Sequence, residues 1–280
     1  MADLNRELPA WLRGAVIFGV SGTLAILEFR RALRKPRREP QVTHTVRNLA
    51  IAAGAGVVMQ IAERPLALWL TRETRARNWG VAPRLLRPGI AQTALSIAML
   101  DYGLYHWHVL THKIPFLWRF HLVHHIDLDL DASTALRFHF GEMLLSIPWR
   151  LAQIVIFGAS PFAYSLWQTL LFASILFHHS NVRLPRGVER ILSFIIMTPR
   201  LHGIHHEADQ RRANTNWSSG LALWDLLHGT YKWGTGTGVI GVPAFLAVQD
   251  VRLAHCLTLP FAEQTTDWIS PTELIAAPSR

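Results

Sequence analysis

His108 and His112 stand four residues apart, His121, His124 and His125 form an H-x2-H-H run, and His202, His205 and His206 repeat that run. On a helix, spacings of three and four residues place side chains on one face, so each set presents its imidazoles together. A neutral imidazole offers one lone pair to a borderline metal such as iron, zinc or copper and adds no charge. Eight such groups exceed the needs of one ion, which points to a pair of metals. A pair held almost wholly by imidazole keeps a high positive charge and suits reductive activation of dioxygen beside an apolar substrate. A lone H-x2-H is weak evidence, because surface and core histidines produce it by chance; the joint pattern is far more specific.

The elements that must position these residues are membrane helices. Half of the 280 residues are hydrophobic, and they gather in long runs. The expected membrane helices cover about 14–29, 49–70, 89–105, 144–157 and 162–177. A histidine-cluster region at 106–231 and a soluble tail at 232–280 complete a single domain. Arg30 to Arg38 follow the first run and place its C-terminal end in the cytoplasm. Glu63, Arg64 and Pro65 interrupt the second, which predicts a kink or tilt, and Thr71–Arg87 reads as an arginine-rich linker. Lys113-Ile114-Pro115 ends the third. Gly158-Ala159-Ser160-Pro161 signals a tight turn, so the last two runs form a hairpin that brings His178 and His179 back to the face of the first cluster. Val188–Met197 is too short to span and reads as an interfacial helix.

The net charge of +9 comes almost wholly from arginine, placed at the ends of apolar runs where lipid headgroups lie, and this argues against nucleic acid as a partner. Cys256 is the single cysteine, so neither an internal disulfide nor a cysteine-rich metal site is possible. Gly236–Gly241 matches G-x-G-x-x-G but has no strand and helix around it, so no dinucleotide site is expected there. His44, His228 and His255 are isolated in sequence.

The joint histidine pattern resembles the fatty acid hydroxylase and sterol desaturase superfamily of membrane di-iron oxygenases, over roughly Asp101 to Phe245. Leu117-Trp118-Arg119-Phe120 before His121, Thr134 to His139, His179-Ser180-Asn181, Trp224-Asp225 and Gly229-Thr230-Tyr231 share the likeness. The resemblance implies an all-α, multi-pass membrane bundle capped by a cytosolic helical domain that holds two ferrous ions, for which zinc can substitute. It implies oxygen-dependent hydroxylation or desaturation of a lipid (sterol, fatty acyl or alkyl), with electrons from a separate ferredoxin or cytochrome b5-like partner. His179 matches a family ligand, whereas Ile175, at the position four residues before it, cannot ligate. By resemblance His139 fills that vacancy, with Glu142 in the acidic position of a related H-P-x-E pattern, and Asn216 supports the site. Val109, His106 and Phe140 depart from the usual arginine, tryptophan and proline. His178 is expected beside the metals or at an interface.

Ligating imidazoles usually donate their second N–H to a carboxylate or carbonyl, and Asp101, Asp127, Glu142, Glu207, Asp209 and Asp225 are candidates. Two other readings remain open: a zinc or copper transporter, and a zinc-dependent lipid hydrolase. Arginine-rich composition suggests a bacterial inner membrane with the metal site facing the cytoplasm.

Overall fold

The computed structural model describes residues 4–263 and Trp268. The expected part of the tail at 264–267 and 269–280 lies outside the described residues. Among them the architecture is all-α, with isolated bridges in place of strands. In chain order the helices are α1 (Ala10–Arg30), α2 (Gln41–Val58), α3 (Arg64–Arg77), α4 (Val81–Leu85), α5 (Ile90–Lys113), α6 (Pro115–His125), α7 (Phe140–Phe157), α8 (Pro161–His179), α9 (Arg186–Leu192), α10 (Pro199–His205), α11 (Gln210–Ala213), α12 (Leu223–His228) and α13 (Leu253–Thr258).

Among the described residues three segments are long and apolar enough to cross a membrane: Ala10–Arg30, Gln41–Leu85 and Phe140–Phe157. The helices that replace the other two expected spans, α5 and α8, are 24 and 19 residues long and carry histidines at their C-terminal ends. The second run is interrupted as expected, and the interruption is a π-helical turn, Met59–Glu63, ahead of Pro65. Proline lacks the N–H that would bond the preceding turn and its ring crowds the carbonyl four residues back, so a wider turn relieves the clash. The arginine-rich linker is less irregular than expected: α3 extends to Arg77 and ends on Asn78 in the left-handed region, φ 52°.

The α7–α8 hairpin forms at the predicted turn, although α7 begins earlier than expected, at Phe140. Gly158 closes α7 with φ 77°, and the Ser160 hydroxyl caps α8 by accepting from Ala163 N at 3.2 Å. Gly80 packs against this corner so closely that a Cβ on it would strike the Gly158 backbone. Proline at the first turn of α6, α8 and α10 starts these three histidine-bearing helices without wasting a backbone donor.

At the histidine end, α1 and α8 run side by side, with Leu33 N donating to Asn181 O at 2.8 Å and Arg183 N to Arg31 O at 2.7 Å. A buried polar network ties the start of α2 to the chain just past α6. Asp127 accepts from His44 Nε2 at 3.0 Å and from Asn48 at 3.2 Å, while Arg47 pairs with Glu39 through two 2.7 Å bonds. Burial alone would raise the Asp127 pKa, yet His44, Arg137 and Arg47 hold it well below the usual carboxylate range. His44, isolated in sequence, is therefore a fully buried anchor of the loop that follows His125. Glu39, His44 and Asp127 also lie close enough to hold a cation. The Arg47 guanidinium already fills that role, reaching Glu39 and, at 3.3 Å, Asp127.

Candidate metal centre

The ends of α5, α6, α8 and α10 meet, and their imidazoles sort into two groups. In the first, one nitrogen each from His108, His112, His121, His125 and His205 lies within 4.8 Å of the others; in the second the same holds for His124, His179, His202 and His206. Each H-x2-H-H run is thus divided. His121 and His125 serve the first group and His124 the second, whereas His205 serves the first and His202 and His206 the second. The face expected to hold each run together is in fact a ridge between two centres, because adjacent helical residues diverge by about 100°.

The second group shows what these atoms are disposed to do. Nε2 of His179 stands 3.0 Å from that of His124 and 2.9 Å from that of His202, which is 3.1 Å from that of His206. One nitrogen carries either a proton or a lone pair, so four in a chain cannot all satisfy one another. Nitrogens bound to a common metal at roughly 2.0–2.1 Å stand roughly 2.8–3.4 Å apart, a range that holds all three distances. In the first group, the Nε2 atoms of His112, His121, His125 and His205 are buried with no hydrogen-bond partner. The donor sets of both groups fit a borderline metal ion.

The outer nitrogens set the tautomers. His108 Nδ1 donates to Trp217 O at 2.6 Å, His205 Nδ1 to Thr215 O at 2.9 Å, His179 Nδ1 to Ile175 O at 2.8 Å and His121 Nδ1 to Glu142 Oε1 at 2.9 Å. With the proton held there, each Nε2 lone pair faces its group. Burial pushes the imidazoles of His124, His125, His202 and His206 well below their ordinary pKa, with mutual repulsion adding to it. Burial likewise takes His179 and His205 to about 3. These rings are neutral at physiological pH, as ligands must be.

Of the candidate carboxylates, Glu142 touches a clustered imidazole. Asp225 accepts from Trp217 N and Ser218 N at 2.8 and 2.9 Å, which steadies the peptide carrying the His108 acceptor. Asp101 binds Leu221 N and the Trp224 indole, Asp209 caps α11, and Glu207 accepts from Gly238 N and pairs with Arg212. Asn216, at φ 56°, donates to Leu201 O and Lys232 O and accepts from Lys232 N, so it supports the loop without reaching an imidazole.

His139 corrects the reading by resemblance. It caps α7, with Nδ1 accepting from Gly141 N at 3.0 Å and Nε2 near Leu257 O at 3.3 Å, and it joins neither group. Position Ile175 does contribute, through its carbonyl. His178 lies beside His179 and His202 with both nitrogens unpartnered. The carbonyls of Trp217 and Thr215 were not foreseen, since a backbone acceptor carries no side-chain signature.

Beside the groups lies a cavity of about 450 Å3 that touches His108, His121, His124, His178, His179 and His202. Its remaining wall is mainly apolar, including Ala52, Ala55, Leu104, Phe138, Leu171 and Phe172.

Residues 93–230 match the model of the fatty acid hydroxylase family. The chain is 37% identical over 145 residues to the ornithine lipid hydroxylase OlsE of Rhizobium tropici, covering 51% of this chain and 43% of that protein. It is 28% identical over 176 residues to the alkylglycerol monooxygenase of Homo sapiens, covering 61% and 37%. It is 24% identical over 153 residues to the cholesterol 25-hydroxylase of Mus musculus, covering 54% and 50%. The chain thus spans half or less of the length of these relatives. No solved structure matches.

Proposed function

We propose that the protein, whose residues 93–230 match the fatty acid hydroxylase family, is a membrane-bound di-iron oxygenase that hydroxylates a lipid. The observation that carries this reading is the division of nine imidazoles into two adjacent groups beside an apolar cavity. His108, His112, His121, His125 and His205 would hold one ion, and His124, His179, His202 and His206 the other. Ferrous iron bound there supplies the two-electron reduction of O2 by which a C–H bond gains one oxygen atom while the second leaves as water. Two external electrons, which restore those given by the iron, and two protons complete the balance, and a separate ferredoxin or cytochrome b5-like donor delivers the electrons.

The chain's own residues hold the imidazoles in one tautomer through Glu142 and the carbonyls of Trp217, Thr215 and Ile175. The apolar wall takes the lipid chain and keeps bulk water from the reacting carbon. The basic turn between α1 and α2 lies on the histidine side, which supports a cytoplasmic face for the metals in a bacterial inner membrane. Transport fits less well, because such sites sit at mid-membrane between helices and these histidines cluster at helix ends. A zinc hydrolase would use one ion with an open position, where this structure offers two complete groups.

The test is anaerobic loading with ferrous iron, then 18O2, a competent reductant and a lipid extract. The expected result is a lipid heavier by one labelled oxygen. Unlabelled products under these conditions, or an oxygen-insensitive activity with one zinc per chain, would overturn the reading.

A further inference from the structure

A composite cavity lies along α8. Its apolar part is a groove of about 680 Å3 between α1, α5 and α8, lined among others by Val20, Leu24, Leu27, Leu171, Phe177 and Leu184. Leu184 also lines a smaller pocket of about 400 Å3 at the histidine end of that groove, and the other walls of that pocket include Arg30, Arg31, Lys35 and Arg183. An apolar slot and a cationic pocket are therefore contiguous, and the pocket sits at the last turn of a helix long and apolar enough to cross a membrane.

Two features separate this pocket from an ordinary basic fringe. First, its backbone is fixed: Arg183 N donates to Arg31 O at 2.7 Å, and Ala32 and Val182 form a bridge, so cations from two distant segments are held around one space. Second, among the described residues none of the four side chains forms an ion pair with a carboxylate, although Arg37, Arg47 and Arg200 elsewhere all do. All four residues are exposed, and with no carboxylate partner they make the mouth of the pocket a positively charged surface that attracts anions. Basic pockets between membrane helices at the cytoplasmic surface suit phosphate headgroups.

We propose that this composite site binds an anionic phospholipid, with its phosphate among Arg30, Arg31, Lys35 and Arg183 and an acyl chain in the groove along α1 and α8. The site is distinct from the cavity beside the imidazoles, although Leu171 borders both, and its occupant braces α8, which carries His179. It stands independently of the oxygenase reading.

The test uses the full chain in detergent, exchanged into mixed micelles of phosphatidylglycerol or phosphatidylcholine with matched acyl chains, with retained lipid counted by native mass spectrometry. Wild type is expected to favour phosphatidylglycerol. Each surface cation contributes roughly fivefold, so the Arg31→Gln/Arg183→Gln double variant should lose about twenty-fivefold in that preference. Metal content should not change. Gly19→Leu, where a side chain meets open space in the groove, should weaken phosphatidylglycerol but not glycerol 3-phosphate, which separates chain from headgroup. Equal retention of the two lipids by wild type would overturn the proposal without recourse to any variant. A double variant that keeps its preference, or a Gly19→Leu protein that retains phosphatidylglycerol in full, would also count against it.

Discussion

Replacing Glu142 should weaken one metal and leave the other alone. The carboxylate accepts from His121 Nδ1 at 2.9 Å, and both residues are buried, each 3% exposed. His121 belongs to the first group, and among the described residues Glu142 forms no hydrogen bond with an imidazole of the second. A hydrogen bond to a charged partner contributes about 1.5–3 kcal/mol, and loss of an outer partner of a metal-bound imidazole typically lowers affinity about 10- to 100-fold. Glu142→Gln keeps an amide oxygen that can accept the same proton and should fall near the lower figure; Glu142→Ala leaves His121 free to change tautomer and should fall near the upper. The assay is anaerobic competition between the protein and a chromophoric chelator for ferrous iron or zinc, which resolves two binding steps. The expected outcome is one weakened step, graded Gln then Ala, with the other within about twofold of wild type. Equal weakening of both steps, or of neither, would refute the assignment of His121 to a separate group held by Glu142.

Single ligand removals extend the logic: His205→Ala should empty the first group and His202→Ala the second, each lowering the metal count from two towards one by elemental analysis. The metal-free protein should be acid-sensitive. His179 and His205 titrate at about 3 when folded, below an unfolded value of about 6.5, so the unfolded chain takes up protons first. Their stabilisation is complete above about pH 6.5 and falls by about 1.4 kcal/mol per imidazole per pH unit towards 3, which thermal unfolding between pH 7.5 and 5.5 will register as a falling Tm. Asn216→Ala removes three side-chain hydrogen bonds of a buried residue, at about 1 kcal/mol each, and imposes a left-handed φ on alanine. The expected result is a lower Tm in the metal-free protein as well as the loaded one.

Much of the site was legible because metal ligation needs particular side chains at particular spacings. The α7–α8 hairpin followed from Gly158 to Pro161, and with it the return of His179. The division of each H-x2-H-H run did not, because it depends on how α6 and α10 lie against each other, and spacing within one helix carries no such information. His139 was misplaced for a related reason: a histidine preceding a helix is equally able to cap it, and Gly141 N claimed that role. His44 looked isolated because its partners, Asp127 and Asp131, lie more than eighty residues away. The helical continuation of α3 through arginine-rich sequence was missed because Arg72, Arg75 and Arg77 read as linker charge, although arginine is a good helix former.

On the proposed reading, distant imidazoles jointly hold two metal ions. Elemental analysis of the purified chain, combined with X-ray absorption at the metal edge, tests it directly. Two ions per chain, each in a shell of imidazole nitrogen, is the predicted result; a single ion per chain, or a shell built from carboxylate or sulfur, would contradict it.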